Sequence, residues 1–254
     1  MWAVGGLWFV WLTGRYSFVS VGYRWLGYAV WGSLAALAAS LGVVSDGVLV
    51  RDTAGFAVVG LIGLALLSSL PKVASKSLVS QPLGTATAAQ RLNAAAIAVG
   101  LVGLVAAGLD AGTELETSSA LFILRIIVGA LFLGAVTSTM LLGHWYLVQP
   151  GMSRQPLLEL TFWAGGLCLA DAMVWLVPTG MISVMVGAQE TSGNALLGWF
   201  WLVCVLATAG LLVTTRLALK EPRYSAVMAA TGLSYLAIMT AFAMELVARA
   251  GLFG

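Results

Sequence analysis

Charge is scarce in this chain. Of its 254 residues only 9% are Asp, Glu, Lys or Arg, while 61% are hydrophobic. A soluble domain carries about a quarter charged residues, so this sequence cannot cover a water-facing surface. Histidine is scarcer still. His144 stands alone, which excludes a bis-histidine haem site built by this chain by itself. The two cysteines, Cys168 and Cys204, lie inside separate apolar runs with no CxxC spacing. That rules out a four-cysteine iron–sulfur cluster and reads as two buried thiols. There is no GxxxxGK[ST], HExxH or GxSxG motif, so self-contained ATP hydrolysis and zinc proteolysis are disfavoured. The formal net charge is only +2 and no polybasic tract exists, which argues against a nucleic-acid partner. The first residues, MWAVGGLWFVWLTG, carry no basic n-region or small-residue cleavage site, so no removed signal peptide is expected.

What remains is apolar, with a mean hydropathy of +1.00, and its solvent is the lipid bilayer. In lipid every backbone N–H and C=O needs an internal partner, which leaves helices or closed barrels. The apolar runs are far longer than the roughly ten-residue alternating segments of a barrel. The fold class expected is therefore all-α, a polytopic transmembrane helix bundle forming one domain over residues 1–254. Eight segments are legible: Met1–Thr13, Gly22–Val44, Thr53–Leu70, Asn93–Leu109, Ala120–Val148, Pro156–Val177, Ala195–Leu217 and Tyr224–Ala250. The first is short for a span of about 20 residues. It reads as a tilted span, a half-span or an interfacial helix, and seven spans are the alternative to eight.

The polar breaks between segments orient the chain. Odd breaks hold nine Lys/Arg (Arg15, Arg24, Lys72, Lys76, Arg91, Arg154, Arg216, Lys220, Arg223), while even breaks hold only Arg51. Even breaks hold most of the acids, among them Asp46, Asp52, Asp110, Glu114, Glu116 and Glu190. Basic loops stay in the cytoplasm, so the expectation is a multi-pass protein of the inner (plasma) membrane with odd loops cytoplasmic and the C-terminus outward. The stretch Pro71–Arg91 reads as a solvated connector, with an interfacial helix or a docking loop as the alternatives. Ala96, Gly100, Gly103 and Ala107 form a small-residue face suited to close helix packing. Trp2, Trp8, Trp11, Trp25, Trp31, Trp145, Trp175, Trp199 and Trp201 read as an aromatic belt at the headgroup level.

Ionisable residues inside spans are costly and mark function or buried pairing. Arg125, Asp171 and Glu245 sit at a similar depth near the outer ends of their segments, and are expected to form an outer polar network. Thr231, Ser234 and Glu245 share one face of the last segment. A second set lies nearer the cytoplasm in GHWYLVQPGMSRQPLLEL. The short Pro-bounded turn makes an antiparallel hairpin and brings His144 and Glu159 to equal depth. Histidine suits proton exchange near neutral pH, and with Trp145 and Tyr146 framing an aromatic ring, the set is a candidate quinone and proton site. Structural pairing without catalysis remains open for both clusters.

The C-terminal run Met244-Glu245-Leu246-Val247-Ala248-Arg249-Ala250-Gly251-Leu252-Phe253 resembles the final helix of the membrane-anchor subunits of dimethyl-sulfoxide- and polysulfide-reductase-type oxidoreductases, which have an acid and an arginine one turn apart followed by an aromatic residue. The likeness covers about ten residues and the eight-span topology. This chain departs from that class in its single histidine and its GHWYLVQP hairpin. The resemblance implies a quinone-binding anchor without a redox metal of its own, partnered by iron–sulfur or cytochrome subunits. A proton-coupled transporter or channel, or a purely structural assembly subunit, are the alternatives.

Overall fold

The computed structural model describes residues 1–16, 19–44, 48–74, 87–114, 118–149, 151–177, 180–187 and 195–253. Asp46, Lys76, Glu116 and Glu190 fall outside them, as do the side chains of Lys72 and Glu114 and most of the connector 71–91. Among the described residues the structure is helical throughout: α1 (Trp2–Thr13), α2 (Val21–Val44), α3 (Leu49–Ala74), α4 (Ala88–Glu114), α5 (Ser119–Val148), α6 (Gln155–Leu176), α7 (Gly180–Met185), α8 (Ala195–Lys220) and α9 (Tyr224–Phe253). Seven of these, α2–α6, α8 and α9, are long and apolar enough to cross a bilayer. The protein is an all-α polytopic membrane protein.

The contacts fall into two compact units. Unit 1 comprises residues 1–134 and 149–156; unit 2 comprises 135–148 and 157–254. In unit 1, α1 has 12 residues and extends only about 18 Å at 1.5 Å per residue. That is well short of a hydrocarbon core about 30 Å thick. Most of its residues are buried against neighbouring helices, while Trp8 and Trp11 are exposed. Glycine lets it sit so deep. A side chain on Gly5 would overlap the Ala130 carbonyl of α5, one on Gly134 would meet the backbone of Gly5, and one on Gly6 would enter the Trp31 ring. The small face foreseen on α4 packs within the unit, with Gly100 against Val4 of α1 and Gly103 against Ala54 of α3.

Polar contacts fasten α1 as well. Fully buried Asn93 of α4 donates from Nδ2 to the Leu7 carbonyl at 3.2 Å. At the start of α4, Thr87 and Gln90 form a capping box: the Thr87 N–H donates to Gln90 Oε1 (2.9 Å) and the Gln90 N–H to Thr87 Oγ1 (3.3 Å). Gln90 Nε2 then donates to the Gly14 carbonyl beyond α1 at 3.2 Å.

Unit 2 is built around α9. Ala230, Thr231, Ser234, Ala237, Ala241, Met244, Glu245 and Ala248 recur every three or four residues and are all buried, so one face of α9 is the seam of the unit. Mostly small side chains let neighbours approach closely. Gly143 of α5 sits against Thr231, and Thr208 of α8 donates to Thr240 Oγ1 at 2.8 Å. The short α7 was not legible as a separate element. It packs through Met181 and Val184 on Gly251 of α9, and through Met185 on Gly198 of α8.

The tryptophan belt needs correction. Trp8, Trp11 and Trp199 are exposed, but Trp31, Trp175 and Trp201 are core residues. Trp31 lies near the middle of α2 rather than at an end, and the missing side chain of Gly6 makes room for its indole.

Candidate functional site

Unit 2 contains a cluster of ionisable groups at the outward-expected ends of α6 and α9. Asp171 lies five residues before the end of α6, and neither of its carboxyl oxygens is exposed or hydrogen-bonded. Glu245 of α9 is equally buried. The two carboxyls are close neighbours, and Trp175 and Arg249 also lie beside Asp171. As carboxylates neither can donate to the other, so Asp171 Oδ1 and Oδ2 and Glu245 Oε1 stay unsatisfied. Each unsatisfied buried charge is costly.

The cation beside them is Arg249, one turn along α9. Its Nη2 reaches Glu245 Oε2 at 2.7 Å and its Nε reaches the same oxygen at 3.1 Å. Its guanidinium also lies 5.4 Å over the ring of Trp175, one turn beyond Asp171 on α6. The tryptophan thus covers the ion pair with an aromatic face that favours the cation. Cys168 lies one turn the other way and is buried.

Of the expected outer network, Asp171 and Glu245 meet in unit 2, while Arg125 is buried in unit 1. From sequence, Arg249 stands out only as part of the C-terminal run. The signal for its role was the spacing, because an acid and an arginine at i and i+4 share a helix face. The shared face of α9 is real, since Thr231 and Ser234 are buried beside Glu245. Their hydroxyls, however, donate to their own helix, at Val227 (2.9 Å) and Ala230 (2.8 Å).

His144 and Glu159 lie four residues either side of the hairpin ends, and Gly151 takes the positive φ that the turn requires. His144 is exposed, and its polar partner among the described residues is Tyr235 of α9, with Oη 3.4 Å from Nδ1. Tyr235 was not foreseen; it falls one residue after Ser234, on the outer side of α9. Glu159 and Trp145 are half-buried and Tyr146 is buried. Arg216 of α8, expected to be a loop cation, instead reaches back into the unit. It donates to the Leu158 carbonyl at 3.1 Å and lies 5.4 Å over the Phe162 ring.

No cluster of three metal-ligating side chains occurs among the described residues. The chain matches no known family model, and it has no significant match to any curated protein or any solved structure.

Proposed function

We propose that this chain is a proton-exchanging membrane anchor of a redox assembly in the inner (plasma) membrane, docking iron–sulfur or cytochrome subunits and binding quinone. The observation that carries the reading is the Asp171–Glu245 pair. Two carboxylates and one arginine leave the cluster with one surplus negative charge inside an apolar bundle. One proton makes it neutral and turns one carboxyl into a donor for the other. A pair that holds a single proton in this way can take it up and release it without rearranging the helices. If the odd loops are cytoplasmic, the pair lies near the outer leaflet.

The His144–Tyr235 pair supports the quinone half of the reading. Both side chains are exposed, near the inner end of α5 in the same orientation. A quinone moving within the bilayer needs a hydrogen-bond donor for its carbonyl, and needs a proton acceptor when its reduced form is oxidised. An imidazole and a phenol side by side supply both roles. Trp145 and Tyr146 follow His144 in the chain and bring aromatic surface to the same end of α5.

The test is quinone-linked turnover of the native assembly carrying His144→Ala or Glu159→Gln. Slower turnover with the assembly intact supports the quinone site; unchanged turnover removes it. Should the protein purify alone and drive solute uptake into proton-loaded liposomes, the same carboxyl pair would belong to a proton-coupled transporter instead.

A further inference from the structure

We infer that a cavity at the first turn of α4 in unit 1 binds a phosphate-type anion, either a phosphodiester lipid headgroup or free phosphate. The cavity has a volume of about 180 Å³ and is lined by Arg24, Tyr28, Ser68, Thr87, Ala88 and Ala89 among others, with no acidic side chain among the described residues. A water occupies about 30 Å³ of liquid, so there is room for a phosphate group and its first substituent.

Three kinds of donor converge on this space. Arg24, one turn into α2, is half-buried. Among the described residues it has no ion pair, and its electrostatic neighbour is the phenol of Tyr28. The Tyr28 ring is 1% exposed, and its hydroxyl has no hydrogen-bond partner among the described residues although it borders the cavity. The third donor is the backbone. The capping box uses the amides of Thr87 and Gln90. It leaves those of Ala88 and Ala89, which border the cavity, at the positive end of a 27-residue helix.

A half-buried guanidinium, a buried phenol and two helix-start amides, none with a partner among the described residues, make a set of donors with no acceptor of matching charge there. Phosphate oxygens accept from all three. Ser68 currently donates to the Ala65 carbonyl at 2.9 Å and can rotate to a ligand oxygen. Arg24, the end of α3 and the start of α4 all belong to odd breaks, the expected cytoplasmic side, where anionic headgroups concentrate.

The experiment uses the full chain, delipidated in mild detergent, with two probes. Phosphatidylglycerol is titrated by native mass spectrometry against diacylglycerol, which lacks the phosphate. Inorganic phosphate is titrated by thermal unfolding. Wild type is expected to retain phosphatidylglycerol at least tenfold over diacylglycerol, with Arg24→Gln lowering occupancy about tenfold and Tyr28→Phe several-fold. Saturable, Arg24-dependent protection by inorganic phosphate, without lipid retention, would assign the site to the free anion. Because Tyr28→Phe removes a single oxygen and keeps the packed ring, it decides the matter even if Arg24→Gln fails to fold. Equal binding of both probes by wild type and Tyr28→Phe overturns the inference, as does no binding at all.

Discussion

Arg249 pairs directly with Glu245 and only indirectly with Asp171, whose carboxyl lies against that of Glu245. Both contacts, at 2.7 and 3.1 Å, fall on one oxygen of Glu245, and both oxygens of Asp171 are buried without a hydrogen-bond donor among the described residues. A bundle does not tolerate that arrangement as two bare carboxylates. A proton between them resolves it, and Asp171 is the position where replacement by a permanent donor should cost least.

Asp171→Asn is therefore expected to keep or raise thermal stability, because the amide N–H₂ donates to Glu245 in place of the shared proton. It should also remove a protonated-carboxyl carbonyl stretch from the infrared spectrum. Loss of stability without any change in that band would show that no proton is held there. Arg249→Gln has the opposite sign. It strands the carboxyl pair, at a cost of about 1–3 kcal/mol, below the range for a fully buried pair because the arginine side chain is 32% exposed. Adding Glu245→Gln to Arg249→Gln should recover most of that loss, as measured in a double-variant cycle.

Gly5 and Gly60 give a matched contrast. A methyl at Gly5 collides with the Ala130 backbone, whereas one at Gly60 meets nothing within 4 Å. Gly5→Ala should destabilise by about 1–3 kcal/mol through overpacking. Gly60→Ala should be neutral or stabilising by up to about 1 kcal/mol, the helix-propensity gain. Unfolding in detergent by circular dichroism compares the two. Equal effects would mean that α1 does not seat on α5 as described.

The helical class and the positions of the seven long helices were legible because lipid leaves the backbone few options, whereas the expected eighth span, the first segment, is a helix too short to count with them. Segment ends were less so. α3 begins at Leu49 rather than Thr53, and α4 at Ala88 rather than Asn93, because capping and charged first turns carry helices past the apolar run. Arg51 and Asp52, read as loop residues, form an ion pair inside the first turn of α3 at 2.8 Å. The carboxyl pair was legible as two acids of similar depth. The pairing of Glu245 with Arg249 was not, although the i, i+4 spacing on α9 carries it. The link between His144 and Tyr235 spans 91 positions and leaves no periodic trace.

Gln90→Ala tests how α1 is held. It removes both the reciprocal cap and the 3.2 Å bond to the Gly14 carbonyl. A cap alone is worth about 1 kcal/mol, so the combined loss is expected at about 1–2 kcal/mol. Limited proteolysis after Thr13 should accelerate in the variant. Unchanged cleavage would mean that glycine packing, not the polar ties, fixes the helix.

Tyr235→Phe separates the two readings of the inner pair. If the phenol only steadies His144, its loss removes one long hydrogen bond of 3.4 Å at an exposed site, and both stability and turnover stay near wild type. If the phenol and imidazole together receive quinone, the ring remains to pack while the donor is gone. KM for quinone should then rise several-fold at nearly constant kcat, the mark of an interaction made in the bound ground state as much as in the transition state. His144→Ala should lower kcat as well, because it removes the proton acceptor and not merely a contact. A kcat loss in both variants with KM unchanged would place them together on the proton path. No change in either would move the quinone away from this end of α5 and leave the Asp171–Glu245 pair as the chain's proton-handling site.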